Sequence, residues 1–142
     1  EKKSSVIGLE KIDRKQSNKY GMVKAKSIHS RLVEIEGLVE KPKPENAPSD
    51  LGIIGKYICT PALLRELEKA ESGHADGEIR LIDGFRRLLT KEPIYGYEIE
   101  GKRYDCGTKL GLIQATLNFA LKRDDLGPEL KTYLQNLVKN LR

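Results

Sequence analysis

The chain has 142 residues, 38% of them hydrophobic and 33% charged, with 26 Lys and Arg against 21 Asp and Glu and a formal charge of +5. That length fits one domain, since a chain of ~150 residues buries about 68–70% of its unfolded surface, and plentiful apolar residues in periodic runs exclude a disordered chain. No apolar run approaches the ~20 residues of a membrane-spanning helix, and Glu1-Lys2-Lys3-Ser4-Ser5 leads into no signal-peptide core, so a soluble, cytoplasmic protein with no membrane partner is expected.

Val6-Ile7-Gly8-Leu9 is a short apolar run that reads as a buried strand, and the polar stretch 11–19 reads as a loop. Residues 21–25 and 31–40 follow as strands. The second alternates Val33 and Ile35 with Glu34 and Glu36, as a half-exposed strand does. Residues 41–49 hold three of the six prolines and form a loop, and Leu51 to Cys59 is apolar enough for a central strand. The period then changes. Thr60-Pro61 opens a helix with a capping hydroxyl and a proline at its first position, its buried stripe being Leu63, Leu64 and Leu67. A second helix opens at Asp76 and carries Ile79, Ile82, Phe85 and Leu89, until Pro93 ends the stretch and Ile94 to Ile99 forms a strand. A turn at Glu100-Gly101-Lys102 leads to two C-terminal helices. One bears Leu110, Ile113, Leu117 and Leu121 as its stripe, the other Leu130, Leu134, Leu137 and Leu141. Interleaved strands and helices make the class α/β.

The charge is uneven. Residues 1–26 hold eight Lys and Arg against three acids, the whole excess, while residues 27–142 balance with 18 of each sign. A basic end attracts phosphates, but this one has a single aromatic, Tyr20, and no nucleic-acid motif, so nucleic acid is not expected as a partner. Cys59 and Cys106 stand 47 positions apart without a CxxC, which argues against zinc and leaves two buried free thiols as the expectation. His29 and His74 fall in loop-like settings, as surface histidines do.

Four places can carry chemistry. Glu40-Lys41-Pro42 ends an apolar strand, where α/β sheets gather ligands: a carboxylate accepts from hydroxyls and an ammonium pairs with phosphate, although a charged turn closed by proline has the same sequence. Asp105, before a helix, either binds Mg²⁺ or caps that helix. Tyr20-Gly21 opens a strand at a glycine that permits close approach of a ligand. Glu78 and Asp83, five apart on one helix, face different ways and form no acid–base dyad; Asp83, among apolar neighbours, suits buried hydrogen bonding. No GxxxxGK[ST] and no glycine-rich turn follows the first strand.

Taken in order, Ser5-Val6-Ile7-Gly8, Lys19-Tyr20-Gly21-Met22-Val23, Gly37 to Lys43 with its Glu40-Lys41-Pro42, Ala47 to Tyr57, Gly77 to Asp83 and Tyr104-Asp105-Cys106-Gly107-Thr108-Lys109-Leu110-Gly111 form a series. That series resembles the C-terminal half of bacterial UTP–glucose-1-phosphate uridylyltransferases, within the sugar-nucleotide pyrophosphorylase family. The resemblance implies that residues 1–142 are the sugar-phosphate-binding C-terminal portion of a Rossmann-like nucleotide-diphospho-sugar transferase fold with a mixed sheet. It implies Glu40 on sugar hydroxyls, Lys41 on the sugar phosphate and as the catalytic charge, Tyr20 and Gly21 lining the sugar pocket, and Asp105 on Mg²⁺. The implied reaction joins UTP and glucose 1-phosphate into UDP-glucose and pyrophosphate, in an enzyme that is a homo-oligomer when intact.

Two departures stand out. Pro48-Ser49-Asp50 replaces the usual Pro-Ser-Asn, and Glu78-Ile79-Arg80-Leu81-Ile82-Asp83 replaces Glu-Ile-Gln-Leu-Thr-Asp, so Arg80 and Ile82 weaken the case for a direct role of that helix. The family's nucleotide loop lies upstream of anything matching Glu1, so the chain reads as a piece of a longer protein, inactive by itself. Two competing expectations are a non-catalytic module that binds RNA or another polyanion through residues 1–26, and an oligomerisation half; salt-dependent RNA binding distinguishes the first, sedimentation the second.

Overall fold

Val6–Lys11 extends as strand β1, with Ile7 to Leu9 buried, in a computed structural model that describes residues 3–72 and 76–141. Gly21–His29 (β2) and Leu32–Glu40 (β3) form an antiparallel hairpin about Ser30-Arg31. His29 therefore ends a strand rather than sitting in a loop, and His74 lies outside the described residues. Leu51–Ile58 (β4) pairs with β1 over its length and with β2 at Met22 and Gly52. Tyr95–Glu98 (β5) runs antiparallel to β3 and parallel to β1, so the order β1-β4-β2-β3-β5 returns on itself and the sheet is mixed. The class is α/β with a mixed sheet, as expected.

The alternation in β3 holds in part: Glu34 and Glu36 are exposed and Ile35 is buried, but Val33 is only half-buried, and Leu38 is buried because the pairing register shifts between Ile35 and Gly37. β4 has a neighbour on each side, but its second half is exposed. Cys59, just after it, is exposed, as is Cys106, which corrects the expectation of buried thiols. The polar stretch before β2 is not a plain loop. Arg14–Lys19 makes a 3-10 turn opened by Asp13, whose side chain accepts from Lys15 N at 2.9 Å.

Pro61–Leu67 (α1) starts as predicted, with the Thr60 hydroxyl accepting from Leu63 N. Its stripe differs: Leu63 is fully buried, Leu64 is exposed, and Glu66 is buried instead, paired with Lys91 at 2.5 Å and Arg87 at 3.5 Å. Leu81–Leu89 (α2) begins five residues later than its periodicity suggests. Gly77 has φ +72, which interrupts a helix, and the Asp83 carboxylate accepts from Arg80 N at 2.9 Å, holding Arg80 extended as the N-cap. Ile79 is left outside the helix and exposed. Ile82, Phe85 and Leu88 of α2 close the core with Leu63 of α1 and with Ile7, Leu9, Val23, Ile35 and Leu38 of the sheet.

The chain divides between Glu100 and Gly101 into two compact units. The second contains Lys109–Ala120 (α3) and Gly127–Asn140 (α4). Here the predicted stripes are not buried: Leu110, Ile113, Leu121, Leu137 and Leu141 are exposed, and the buried residues are Gly111, Ala115 and Gly127. Periodicity assigns side chains to one face of a helix, whereas burial also needs something to cover that face. Leu117, Leu126, Leu130 and Tyr133 line a groove formed by these two helices. Among the described residues no helix is long and apolar enough to cross a membrane.

Candidate functional site

The hairpin register sets the site. Gly21, at the start of β2, pairs with Glu40, at the end of β3, so the two residues meet at the open end of the hairpin. Three backbone and hydroxyl bonds hold the flanking chain against this end. Tyr20 N donates to Ser17 O at 3.1 Å, Lys41 N donates to Tyr20 O at 3.1 Å, and the buried Ser17 hydroxyl donates to Pro42 O at 2.9 Å. The 3-10 turn missing from the sequence reading thus fixes both Tyr20 and the Glu40-Lys41-Pro42 segment. Ser49, in the altered Pro-Ser-Asp, ties the proline-rich loop to β2 by donating to Val23 O at 2.6 Å.

These elements enclose a cavity of about 230 Å³. Gly21 from β2, Glu40 from β3, Ile53 and Tyr57 from β4 and Leu81 and Ile82 from α2 line it, with Lys19 at the end of the 3-10 turn, Tyr20 just before β2 and Arg80 at the N-cap of α2. Glu40 is 19% exposed, and its Oε2 lies 3.3 Å from where a Cβ on Gly21 would stand, so a side chain there would crowd that carboxylate. Lys41 borders the cavity through Glu40: its Nζ is 3.6 Å from Glu40 Oε1 and its side chain is half exposed. Its backbone is in the left-handed region, φ +45, a conformation that costs a non-glycine residue about 1–2 kcal/mol. Such strain persists only where neighbouring bonds over-determine it, here those of Tyr20 and Ser17.

Tyr57 stacks at 5.6 Å on Phe85 of the core. Burial, and then the nearby charges of Glu40 and Cys59, push its phenol above the ordinary value, so it stays protonated at neutral pH and able to donate. A larger groove of about 550 Å³ lies among Val6, Leu32, Ile58, Tyr97 and Ile99. That wall is almost wholly apolar and has no carboxylate, so it cannot orient a polyhydroxylated ligand; the smaller cavity can.

Asp105 belongs to the second unit and is exposed. Its Oδ1 accepts from Gly107 N at 3.1 Å, and its carbonyl accepts from Thr108 N and from the Thr108 hydroxyl. The helix cap is Thr108, whose hydroxyl accepts from Gly111 N at 3.1 Å, so the capping alternative for Asp105 is corrected. Among the described residues no three His, Cys, Asp or Glu side chains cluster into a group that could hold a metal ion by themselves.

The structure therefore brings Tyr20, Gly21 and Glu40 together, sets Lys41 beside them, and keeps Asp105 in the other unit. Sequence reasoning missed Lys19, Ile53, Tyr57, Arg80 and Ile82. The even spacing of Ile53 and Tyr57 on one strand was a usable signal that they share a face. Arg80 had no such signal, because its place depends on where α2 begins.

The family model described as Nucleotidyl transferase matches residues 1–121. The UTP–glucose-1-phosphate uridylyltransferase of Staphylococcus epidermidis is 37% identical over 133 residues, 94% of this chain and 46% of that protein. The enzyme of that name from Bacillus subtilis is 36% identical over 135 residues, 95% of this chain and 46% of that protein. Among solved structures, a UDP-glucose pyrophosphorylase complexed with UDP-glucose superposes with a TM-score of 0.77 at 35% identity, over 84% of this chain and 45% of the other. The UTP-bound UGPase from Acinetobacter baumannii gives a TM-score of 0.82 at 29% identity, over 94% and 46%. The chain spans about half the length of the curated relatives it matches.

Proposed function

Because the chain belongs to the nucleotidyl transferase family, we propose that it supplies the sugar-phosphate-binding part of a cytoplasmic UTP–glucose-1-phosphate uridylyltransferase. Its mixed sheet would then be part of a larger Rossmann-like nucleotide-diphospho-sugar fold that takes in α3 and α4. The observation that carries this reading is the convergence of Tyr20, Gly21 and Glu40 on one cavity, with Lys41 beside it. At about 230 Å³ it is smaller than the ~300–1,000 Å³ of pockets for drug-sized ligands and suits a single sugar ring.

In this reading Glu40 accepts hydrogen bonds from ring hydroxyls, an interaction strengthened by its charge. Tyr57, kept protonated, donates from the β4 wall. Lys41 neutralises the sugar phosphate, whose oxygen attacks the α-phosphorus of UTP, forming the new P–O bond of UDP-glucose and releasing pyrophosphate. Little covalent chemistry falls to the protein. Positioning and charge neutralisation carry the step.

Mg²⁺ takes one or two carboxylates and completes its shell with phosphates and water, so the single exposed Asp105 fits one ligand position. When bound there, the ion would withdraw charge from phosphate oxygens. A homo-oligomeric assembly is supported by the apolar side chains exposed on α3 and α4, such as Leu110 and Phe119, and sedimentation as a monomer would overturn it.

Calorimetric titration with glucose 1-phosphate tests the site. Wild type binds, and Lys41→Ala and Glu40→Gln each weaken binding about tenfold, the scale of one hydrogen bond to a charged group. Equal affinity in all three proteins would remove the cavity from the reaction.

A further inference from the structure

Arg80 stands on the wall of the same cavity as Glu40 and Lys19. Its backbone is fixed from both sides, because Asp83 Oδ2 accepts from Arg80 N and Asp83 N donates to Arg80 O, each at 2.9 Å. Its side chain, 27% exposed, pairs through Nη2 with Asp76 and through Nε with Glu78 at 3.4 Å. Both carboxylates are more than half exposed, so these pairs add little stability; their effect is to orient the guanidinium. Among the described residues those bonds use two of its five N–H groups. A guanidinium held this way is preorganised for ligand oxygens.

Charge narrows which oxygens. Lys19 and Arg80 line the cavity with one carboxylate, Glu40, and Lys41 lies beside it; Asp76 and Glu78, which offset the Arg80 charge, are not on that lining. A phosphate gains from cations on the lining and from a guanidinium fork, whereas a neutral sugar gains nothing from their charge. We propose that Arg80 is a second phosphate-binding residue of the cavity, which selects a phosphorylated sugar over the same sugar without its phosphate. This rests on the sugar-phosphate reading of the cavity. It also gives a role to the arginine that departs from the family pattern: Lys41 approaches the phosphate from the end of β3, Arg80 from the start of α2.

The experiment is a titration of the full chain with glucose 1-phosphate and, separately, with methyl α-glucoside, at low and high salt, in wild type, Arg80→Gln and Arg80→Lys. Arg80→Gln weakens glucose 1-phosphate about tenfold, changes the glucoside by less than about twofold, and flattens the salt dependence of phosphate-sugar binding. Arg80→Lys, which keeps the charge but not the fork, falls between the two and serves as the folded control if the glutamine variant is unstable. Equal weakening of both ligands would make Arg80 a mere support of the wall and overturn the proposal. So would an Arg80→Gln protein that binds glucose 1-phosphate as wild type does, with the sugar-phosphate reading left standing. A wild-type chain that takes neither ligand overturns that reading, and the role of Arg80 with it.

Discussion

Replacing Gly21 with alanine puts a methyl group into the cavity wall, 3.1 Å from Ile53 Cδ1, 3.3 Å from Glu40 Oε2 and 3.6 Å from Ile82 Cδ1. The two isoleucine contacts are with the ends of flexible side chains, which can yield by a few tenths of an ångström. Gly21 lies in a strand and is not among the glycines with positive φ, so alanine fits its backbone. Restricting the unfolded chain there is worth about 0.4–1 kcal/mol of stability, and the squeeze on Ile53 offsets part of it. The unfolding free energy therefore changes by less than about 1 kcal/mol. Binding responds on another scale. The methyl takes about the ~30 Å³ share of one water from a cavity of about 230 Å³, and it crowds the Glu40 oxygen meant for sugar hydroxyls. One lost hydrogen bond to a charged group costs about 1.5–3 kcal/mol, or roughly 10- to 150-fold in affinity. Urea unfolding and calorimetric titration with glucose 1-phosphate, on one preparation of Gly21→Ala, separate the two effects. Wild-type affinity at wild-type stability would refute the placement of the sugar, and a large loss of stability would refute the claim that the backbone tolerates a side chain here.

Three further outcomes follow from packing, strain and charge. Gly96→Ala is destabilising by about 1–3 kcal/mol in urea unfolding, because its methyl overlaps Leu9 Cδ1 and stands 2.8 Å from Val33 Cγ2. Lys41→Gly is more stable than Lys41→Ala by about 1 kcal/mol in the same assay, since glycine accepts the left-handed backbone that alanine does not, while both lose affinity for glucose 1-phosphate. Lys91 at 2.5 Å holds the Glu66 carboxyl below its ordinary value of 4.5. The folded value is the lower, so the contribution of Glu66 is complete above about pH 5 and is lost as pH falls through the folded value. The melting-temperature gap between wild type and Glu66→Gln is constant at neutral pH and narrows in acid; a gap independent of pH would remove the ion pair from the account.

The sequence marks Tyr20-Gly21 at the start of one strand and Glu40-Lys41 at the end of the next, and the short turn between them brings Gly21 opposite Glu40. The roles of these residues came from the family resemblance, not from their local spacing. Arg80 was not legible. Its helical periodicity extends back to Asp76, and the start of α2 was set by Gly77 in the left-handed region and by Asp83 reaching back to Arg80 N. The same gap explains Leu64 and Glu66 on α1. A leucine stripe says which face is apolar, but Lys91 and Arg87 supply the partners that let a carboxylate be buried at the position beside it.

By itself the sequence determined the α/β class, the alternation of β3 about Ile35, the caps at Thr60 and the order of motifs that marks the family. Each of these depends on residues a few positions apart, whose spacing and chemistry survive without knowledge of the fold. Tertiary structure alone decided the return of β5 to β1, the exposure of Cys59 and of the α3 and α4 leucines, and the company Glu40 keeps. Those outcomes depend on what lies across from each face. A cavity wall made by β2, β3, β4 and α2 joins positions sixty residues apart, from Tyr20 to Arg80, and nothing in local spacing encodes that meeting.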